Sequence, residues 1–184
     1  MKTKLILLSL LCLSQTILLA QKKVAIDTKT SLLKWTGHAE IGTYAPSGTL
    51  NLWEGVVYLK GDEITAALLT VDMKSMKQEN SDLVNHLKSE DFFDVEKYSV
   101  STIKINSIRN GKAYGQITMK NKTQAFECPI AITKTGGELS VTGKAIIDRT
   151  KYGIIYNSGS FFSGLGDHAI KNTFDVAFNI VVNL

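Results

Sequence analysis

The sequence predicts an all-β fold, an antiparallel up-and-down barrel of about eight strands with one short helical plug. Three observations carry this. First, Phe174, Val176, Phe178, Ile180 and Val182 alternate with Thr173, Asp175, Ala177, Asn179 and Val181. Period two over ten residues describes a strand with one face on an apolar interior and the other mostly wet. Second, tight-turn pairs recur between such runs, Asn110-Gly111 being the strongest two-residue hairpin signal. Third, only Ser81–Tyr98 reads as helical, so βαβ units are excluded. Long strands joined by tight turns fit a barrel or a sandwich, and the single interrupting helix favours the barrel.

The elements follow in order. Val24–Asp27 is a short first strand, and Ser31–Ile41 a second with Leu33, Trp35 and Gly37 on one face. A loop from Thr43 to Gly48 contains Pro46. Thr49–Tyr58 is a third strand, which Gly55 can bend or bulge. After a Lys60-Gly61-Asp62 turn, Glu63–Met73 is a fourth strand rich in Ile, Leu, Val and Thr. The plug opens with Asn80 or Ser81 as N-cap and Asp82 in the first turn, where a negative charge suits the helix dipole. Leu83, His86 and Leu87 share one helix face, and Phe92, Phe93, Val95 and Tyr98 crowd together among carboxylates. Strands resume at Tyr98–Ile108, Ala113–Met119, Gln124–Thr133 and Leu139–Asp148, turned by Asn110-Gly111, Asn121-Lys122 and Gly136-Gly137.

Residues 1–20 read as a secretory signal peptide. Lys2 and Lys4 precede an apolar run from Leu5 to Leu19, and Ala20 suits a cleavage site, with Leu18 as an imperfect −3 residue. The run is too short and wrongly flanked for a membrane span, and Cys12 lacks the small preceding residue of a lipoprotein cysteine. Residues 21–184 then form one domain, large enough to bury a core, exported to the periplasm or beyond the cell. The net charge of +4 falls by two without Lys2 and Lys4. The remaining lysines are scattered singly, so no nucleic-acid surface is expected. Cys128 alone remains, so no disulfide can staple the domain, and a small buried thiol is expected there.

No nucleophile elbow, phosphate loop or dinucleotide fingerprint occurs, and no catalytic residue is assigned. His38, His86 and His168 match the number of ligands of a catalytic zinc, but no two stand at ligand spacing. Each is expected to be a hydrogen-bonded polar group near a barrel end, with no metal and no cofactor. The Asp148–Gly153 island has two readings: a turn-stabilising Asp148–Arg149 ion pair, or a polar mouth where Arg149 meets the head group of an amphipathic ligand. Phe161 and Phe162, in a Gly- and Ser-rich segment, either gate the barrel or pack back on it.

The residues resemble the YceI-like family, exported bacterial proteins with a lipocalin-like barrel that bind polyisoprenoids and related lipids. The resemblance spans nearly all of residues 21–184. Its most specific part is the run from His86-Leu87 to Asp91-Phe92-Phe93-Asp94 and Tyr98. Trp35-Thr36-Gly37, Val71 to Ser75, Gly115 to Lys120 and Asp148-Arg149 with Tyr152-Gly153-Ile154 are similar to other family motifs. Ser99 and Asn121 depart from it, standing where the family has Pro and Gly. The resemblance implies a carrier of a long apolar ligand: a polyisoprenoid, an isoprenoid quinone or a fatty-acyl lipid. It also implies transient membrane contact for ligand exchange and makes a homodimer reasonable. The expected ligand-binding residues are Trp35, His38 and Leu69 on the early strands, then Leu87, Phe92 and Phe93 in the plug. Arg149, Tyr152 and Phe162 would follow from the polar island and the Gly/Ser segment, with Phe174 and Phe178 on the last strand. Two other functions stay open: an enzyme using Asp148, Arg149 and His38 or His86, and a ligand-free interaction barrel packed solid by Trp35, Trp53 and phenylalanines.

Overall fold

The computed structural model describes residues 21–184, so the signal-peptide reading of residues 1–20 lies outside the described residues. Nine strands form one antiparallel sheet: β1 (Lys22–Ala25), β2 (Leu32–Thr36), β3 (Ser47–Lys60), β4 (Glu63–Lys77), β5 (Val100–Arg109), β6 (Lys112–Met119), β7 (Lys122–Thr135), β8 (Glu138–Asp148) and β9 (Thr173–Asn183). Helix α1 (Ser81–Lys88) separates β4 from β5. The sheet closes because β2 pairs with both β3 and β9, while β3 pairs with β4. Closure leaves no open edge at that seam. β1 and β2 are collinear along β3, Lys22 facing Leu59 and Thr36 facing Ser47. They make one interrupted strand position, linked by the Ile26–Val182 bridge, so the barrel has eight positions and one extra strand.

Connections are distributed unequally between the two ends. One end carries only the turns after β3, β5 and β7, at Gly61, Asn110-Gly111 and Gly136-Gly137. Gly61, Asn110, Gly111 and Gly136 all have positive φ, the conformation such turns require. The other end carries three insertions, 37–46, 78–99 and 149–172, beside the short turn at Lys120-Asn121. These ends are called the turn end and the insertion end below. Asn121 has φ 58°, so an asparagine serves where glycine is the usual choice.

Some strand limits differ from the sequence reading. β2 stops at Thr36 rather than Ile41: the Gly37 N–H still donates to Pro46 O at the next position of the β2–β3 register, but Pro46 has no N–H to bond back and the ladder ends there. Only Ala39 keeps a bridge, to Ile170. β3 and β4 run two to four residues further at the insertion end, through polar positions such as Lys74 and Lys77 whose side chains face outward. Trp53 stands 67% exposed on the outer wall and fills none of the interior.

The plug starts as expected. Asn80 caps α1, its Oδ1 accepting from the N–H groups of Asp82 and Leu83. No residue of α1 is fully buried. Its anchors come later: Phe92 and Val95 are buried, and the Phe93, Asp94 and Val95 N–H groups bond back to Leu87 O, Ser89 O and Lys88 O. Lys120 ties the plug to the β6–β7 turn, its ammonium donating to Phe92 O at 2.6 Å and Glu90 O at 3.3 Å. Burial pushes the Lys120 pKa down.

Candidate functional site

Inward residues of the barrel do not meet in the middle. They surround a cavity of about 410 Å³, within the size range of small-molecule sites. At the turn end its wall is hydrocarbon: Ile26, Val57, Ile64, Ala113, Val141 and Ile180. Polar lining residues gather at the insertion end, where Ser101, Arg149, His38, Asp167, His168 and Lys171 join the wall. The exposed lining residues, Tyr44, Asp167, His168 and Lys171, also lie there, so the cavity approaches solvent between the 37–46 and 149–172 insertions.

Nine of the eleven residues expected to contact ligand lie on this wall: Trp35, His38, Leu69, Leu87, Phe92, Phe93, Arg149, Phe174 and Phe178. Tyr152 and Phe162 do not. Tyr152 lies in a 3-10 turn, Arg149–Tyr152, ended by left-handed Gly153. That turn sends its ring into a second apolar cluster with Ile147 and Ile154, and burial pushes its phenol pKa up. Phe162 is 46% exposed. Its N–H and that of Phe161 both bond to Ser158 O, while Ser158 and Ser160 are tied through Asn172, and this turn carries both rings outward. Packing of these phenylalanines back on the barrel is therefore not observed.

Arg149 is 3% exposed and makes no ion pair with Asp148. Its Nε donates to Lys171 O at 2.9 Å, one terminal nitrogen to Ile154 O at 2.9 Å, and the other to Ile170 O at 3.0 Å. Its guanidinium carbon lies 5.9 Å from the Phe92 ring centroid. Burial pushes its pKa down, and Asp148 works against that shift. The side chain thus clamps both arms of the 149–172 insertion. Asp148 instead caps the 3-10 turn, accepting from the Thr150 N–H and hydroxyl.

All three histidines lie at the insertion end. His38 bonds through Nε2 to Asp175 Oδ2 at 3.1 Å, and Lys144 reaches the same oxygen at 2.6 Å. Burial pushes the Asp175 carboxyl up, but hydrogen bonds from Lys144 and His38 outweigh it and hold its pKa below the ordinary value. His86 stacks edge-on against Phe92 and Tyr156, at centroid distances of 5.2 and 4.7 Å, with Asp91 3.5 Å from its Nε2. His168 is exposed. Among the described residues no three His, Cys, Asp or Glu side chains group as metal ligands. Asp148, Arg149 and His38 each bond to other partners, His86 stands 3.5 Å from Asp91, and the four do not pair with one another. Cys128 is buried in the wall, where burial pushes its thiol pKa up and away from the thiolate.

Two polar groups among the lining residues stand apart, one on Trp35, already among the expected contacts, and one on Ser101, which the sequence did not single out. The Trp35 indole N–H and the Ser101 hydroxyl are buried with no hydrogen-bond partner. Parity carried the Ser101 signal: it falls in step with Ile103 and Ile105, which point inward.

Comparisons place the chain among known proteins. A family model described as "YceI-like domain" matches residues 25–182. A UPF0312 protein of Staphylococcus aureus is 33% identical over 98 residues, covering 50% of this chain and 57% of that protein. A UPF0312 protein of Staphylococcus epidermidis is 32% identical over 113 residues, or 55% of this chain and 66% of the relative. The chain therefore spans less than two thirds of the curated relatives it matches. Among solved structures, Burkholderia cenocepacia BcnA superposes with TM-score 0.70 at 16% identity, covering 85% of this chain and 98% of that one. A polyisoprenoid binding domain from Saccharophagus degradans gives 0.69 at 14% identity, covering 90% and 98%. At these identities the likeness is one of fold.

Proposed function

The chain belongs to the YceI-like family, and from that premise we propose that it holds one long apolar ligand inside the barrel, for storage or transport. The ligand class is a polyisoprenoid, an isoprenoid quinone or a fatty-acyl lipid. The observation that carries this is the largely hydrocarbon lining of the cavity, whose exposed residues all stand at the insertion end. The fold neighbour described as a polyisoprenoid binding domain supports the same reading. Each buried methylene contributes about 0.8 kcal/mol, so about ten give the free energy of micromolar binding. Offsetting an association cost of about 4 kcal/mol or more raises the need to about fifteen carbons.

In this reading the protein performs no chemistry of its own on the ligand. It works after export, in the periplasm or outside the cell, and meets a membrane only to exchange its cargo. Self-association as a homodimer belongs to the same proposal. The test is native mass spectrometry of protein purified from its exported compartment, with thermal melting of delipidated protein against added prenyl lipids. A co-purifying apolar mass and a raised melting temperature are expected. No adduct and no shift would end the carrier proposal.

A further inference from the structure

Oily side chains stand in water at one end of the barrel. Ile41 and Tyr44 of the 37–46 insertion, with Ile155, Phe161 and Phe162 of the 149–172 insertion, are between 36% and 65% exposed. The two phenylalanines are held out by a pinned turn. Beneath them the fully buried Ser158 donates its hydroxyl to Asn172 Oδ1 at 2.6 Å, and Asn172 Nδ2 donates to Ser160 Oγ at 2.8 Å. The two insertions are also stitched into one platform. The Glu40 N–H donates to Ala169 O at 2.8 Å and the Lys171 N–H to His38 O at 2.9 Å, on either side of the Ala39–Ile170 bridge. Tyr44, Ala39, Ala169 and Lys171 line the cavity, so the exposed apolar residues and the cavity's approach to solvent share this platform. Exposed apolar patches of this kind mark interaction surfaces.

Charge decides what covers it. The exposed ionic side chains within the two insertions are Glu40, Asp167, Lys151 and Lys171, two of each sign. The third insertion, 78–99, contributes none of the strongly exposed large apolar residues, and its six carboxylates face two lysines. It is the poorer surface for a bilayer. We propose that the platform is the face on which the protein lies on a membrane of zwitterionic phospholipid. Ile41, Tyr44, Ile155, Phe161 and Phe162 enter the headgroup boundary, where aromatic and apolar side chains settle. The balanced charges neither draw the face to anionic headgroups nor repel it from neutral ones. This rests on the carrier reading above, in which a membrane supplies or receives the cargo, and adds the contact face and the force that holds it there.

The experiment is flotation of delipidated protein with vesicles of phosphatidylcholine, alone or mixed with phosphatidylglycerol. Wild type is expected to bind both equally, and to stay bound as salt is raised. Taking one phenylalanine ring out of water is worth about tenfold in partition, so Phe161→Ser combined with Phe162→Ser is expected to bind about a hundredfold more weakly. Neither ring lies on the cavity wall, so the double variant is expected to melt as wild type does and to hold a prenyl lipid equally in native mass spectrometry. Trp53→Ser removes a similarly exposed aromatic from the outer wall and is expected to leave vesicle binding unchanged. The proposal is overturned if binding grows with phosphatidylglycerol and disappears in salt. It is equally overturned if the double variant binds as wild type does, or if Trp53→Ser loses as much. A wild-type dimer that comes apart in the double variant would assign the face to a second copy of the chain instead. If wild type holds a prenyl lipid but floats with neither vesicle, only the docking inference falls. If it does neither, the carrier reading falls with it.

Discussion

Replacing Arg149 with Met tests whether one side chain holds the 149–172 insertion in place. The guanidinium makes three hydrogen bonds of 2.9–3.0 Å to the carbonyls of Lys171, Ile154 and Ile170. Bonds from a charged donor contribute about 1.5–3 kcal/mol each, and against them stands the several-kcal/mol cost of burying the charge. Methionine relieves that cost but strands three carbonyls, and the balance is a loss of about 3 kcal/mol, about 1 kcal/mol for each carbonyl left without a donor. For a domain of this size that is a fall in melting temperature of about 6–12 °C. Urea unfolding followed by circular dichroism measures the loss. Hydrogen exchange locates it, because the Ile170 amide bonds to Asn157 O across the insertion and the Lys171 amide to His38 O in the neighbouring 37–46 insertion. Arg149→Lys should recover only part, since one ammonium cannot span three carbonyls. A loss below about 1 kcal/mol, ordinary for any substitution, with unchanged exchange at these two amides, refutes the clamp.

Ser101→Ala in delipidated protein should be neutral or stabilising, by about 1 kcal/mol and about 2–4 °C, because it removes an unmet buried hydroxyl; a clear fall in melting temperature would contradict the absence of a partner. Gly115→Ala should destabilise by about 2 kcal/mol, since a Cβ there overlaps the Lys104 carbonyl oxygen and sits 2.9 Å from Ile105 Cα; an unchanged urea midpoint would show that the β5–β6 pairing yields freely. Asp175→Asn should lose stability at pH 7, with the gap to wild type closing as pH falls below the ordinary carboxyl value of 3.8 and through the lower folded one. Urea midpoints at pH 7 and pH 3 read this, and a gap of constant size would remove the carboxylate from the account. Lys120→Met should loosen the plug, seen as faster exchange of the Phe93 and Val95 amides, with melting little changed; equal exchange would mean the Phe92 and Val95 side chains hold the plug alone.

What the sequence exposes here depends on periodicity. β9 was readable because apolar and polar residues alternate from Thr173 to Ile180, before Val181 and Val182 are both buried, and the β5–β6 hairpin because Asn110-Gly111 can take the positive φ both residues have. The ends of β3 and β4 were not, since tilted barrel strands extend past the core into polar residues whose inner neighbours alone stay apolar. β1 and β2 occupy one strand position, a relation visible only once β3 runs beside both. At the site, apolar lining residues follow from alternation. Arg149 does lie on the wall, but its clamping of the insertion did not follow, because its partners are backbone carbonyls of Ile154, Ile170 and Lys171, which side-chain identity does not encode. Ser101 was hidden by its small polar side chain, although its parity matched Ile103 and Ile105. Phe162 misled because an aromatic in a Gly/Ser segment looks the same whether a turn sends it in or out.

Both ends of the described chain leave the barrel beside the short hairpin turns. Gln21 bonds to Thr65 and the Leu184 N–H to Gly137 O, far from the three insertions. A linker or surface anchor fused to either terminus would therefore seat the molecule base-down, with its insertion end turned outward. Immobilised through one end or the other, the protein should exchange cargo with vesicles at the same rate.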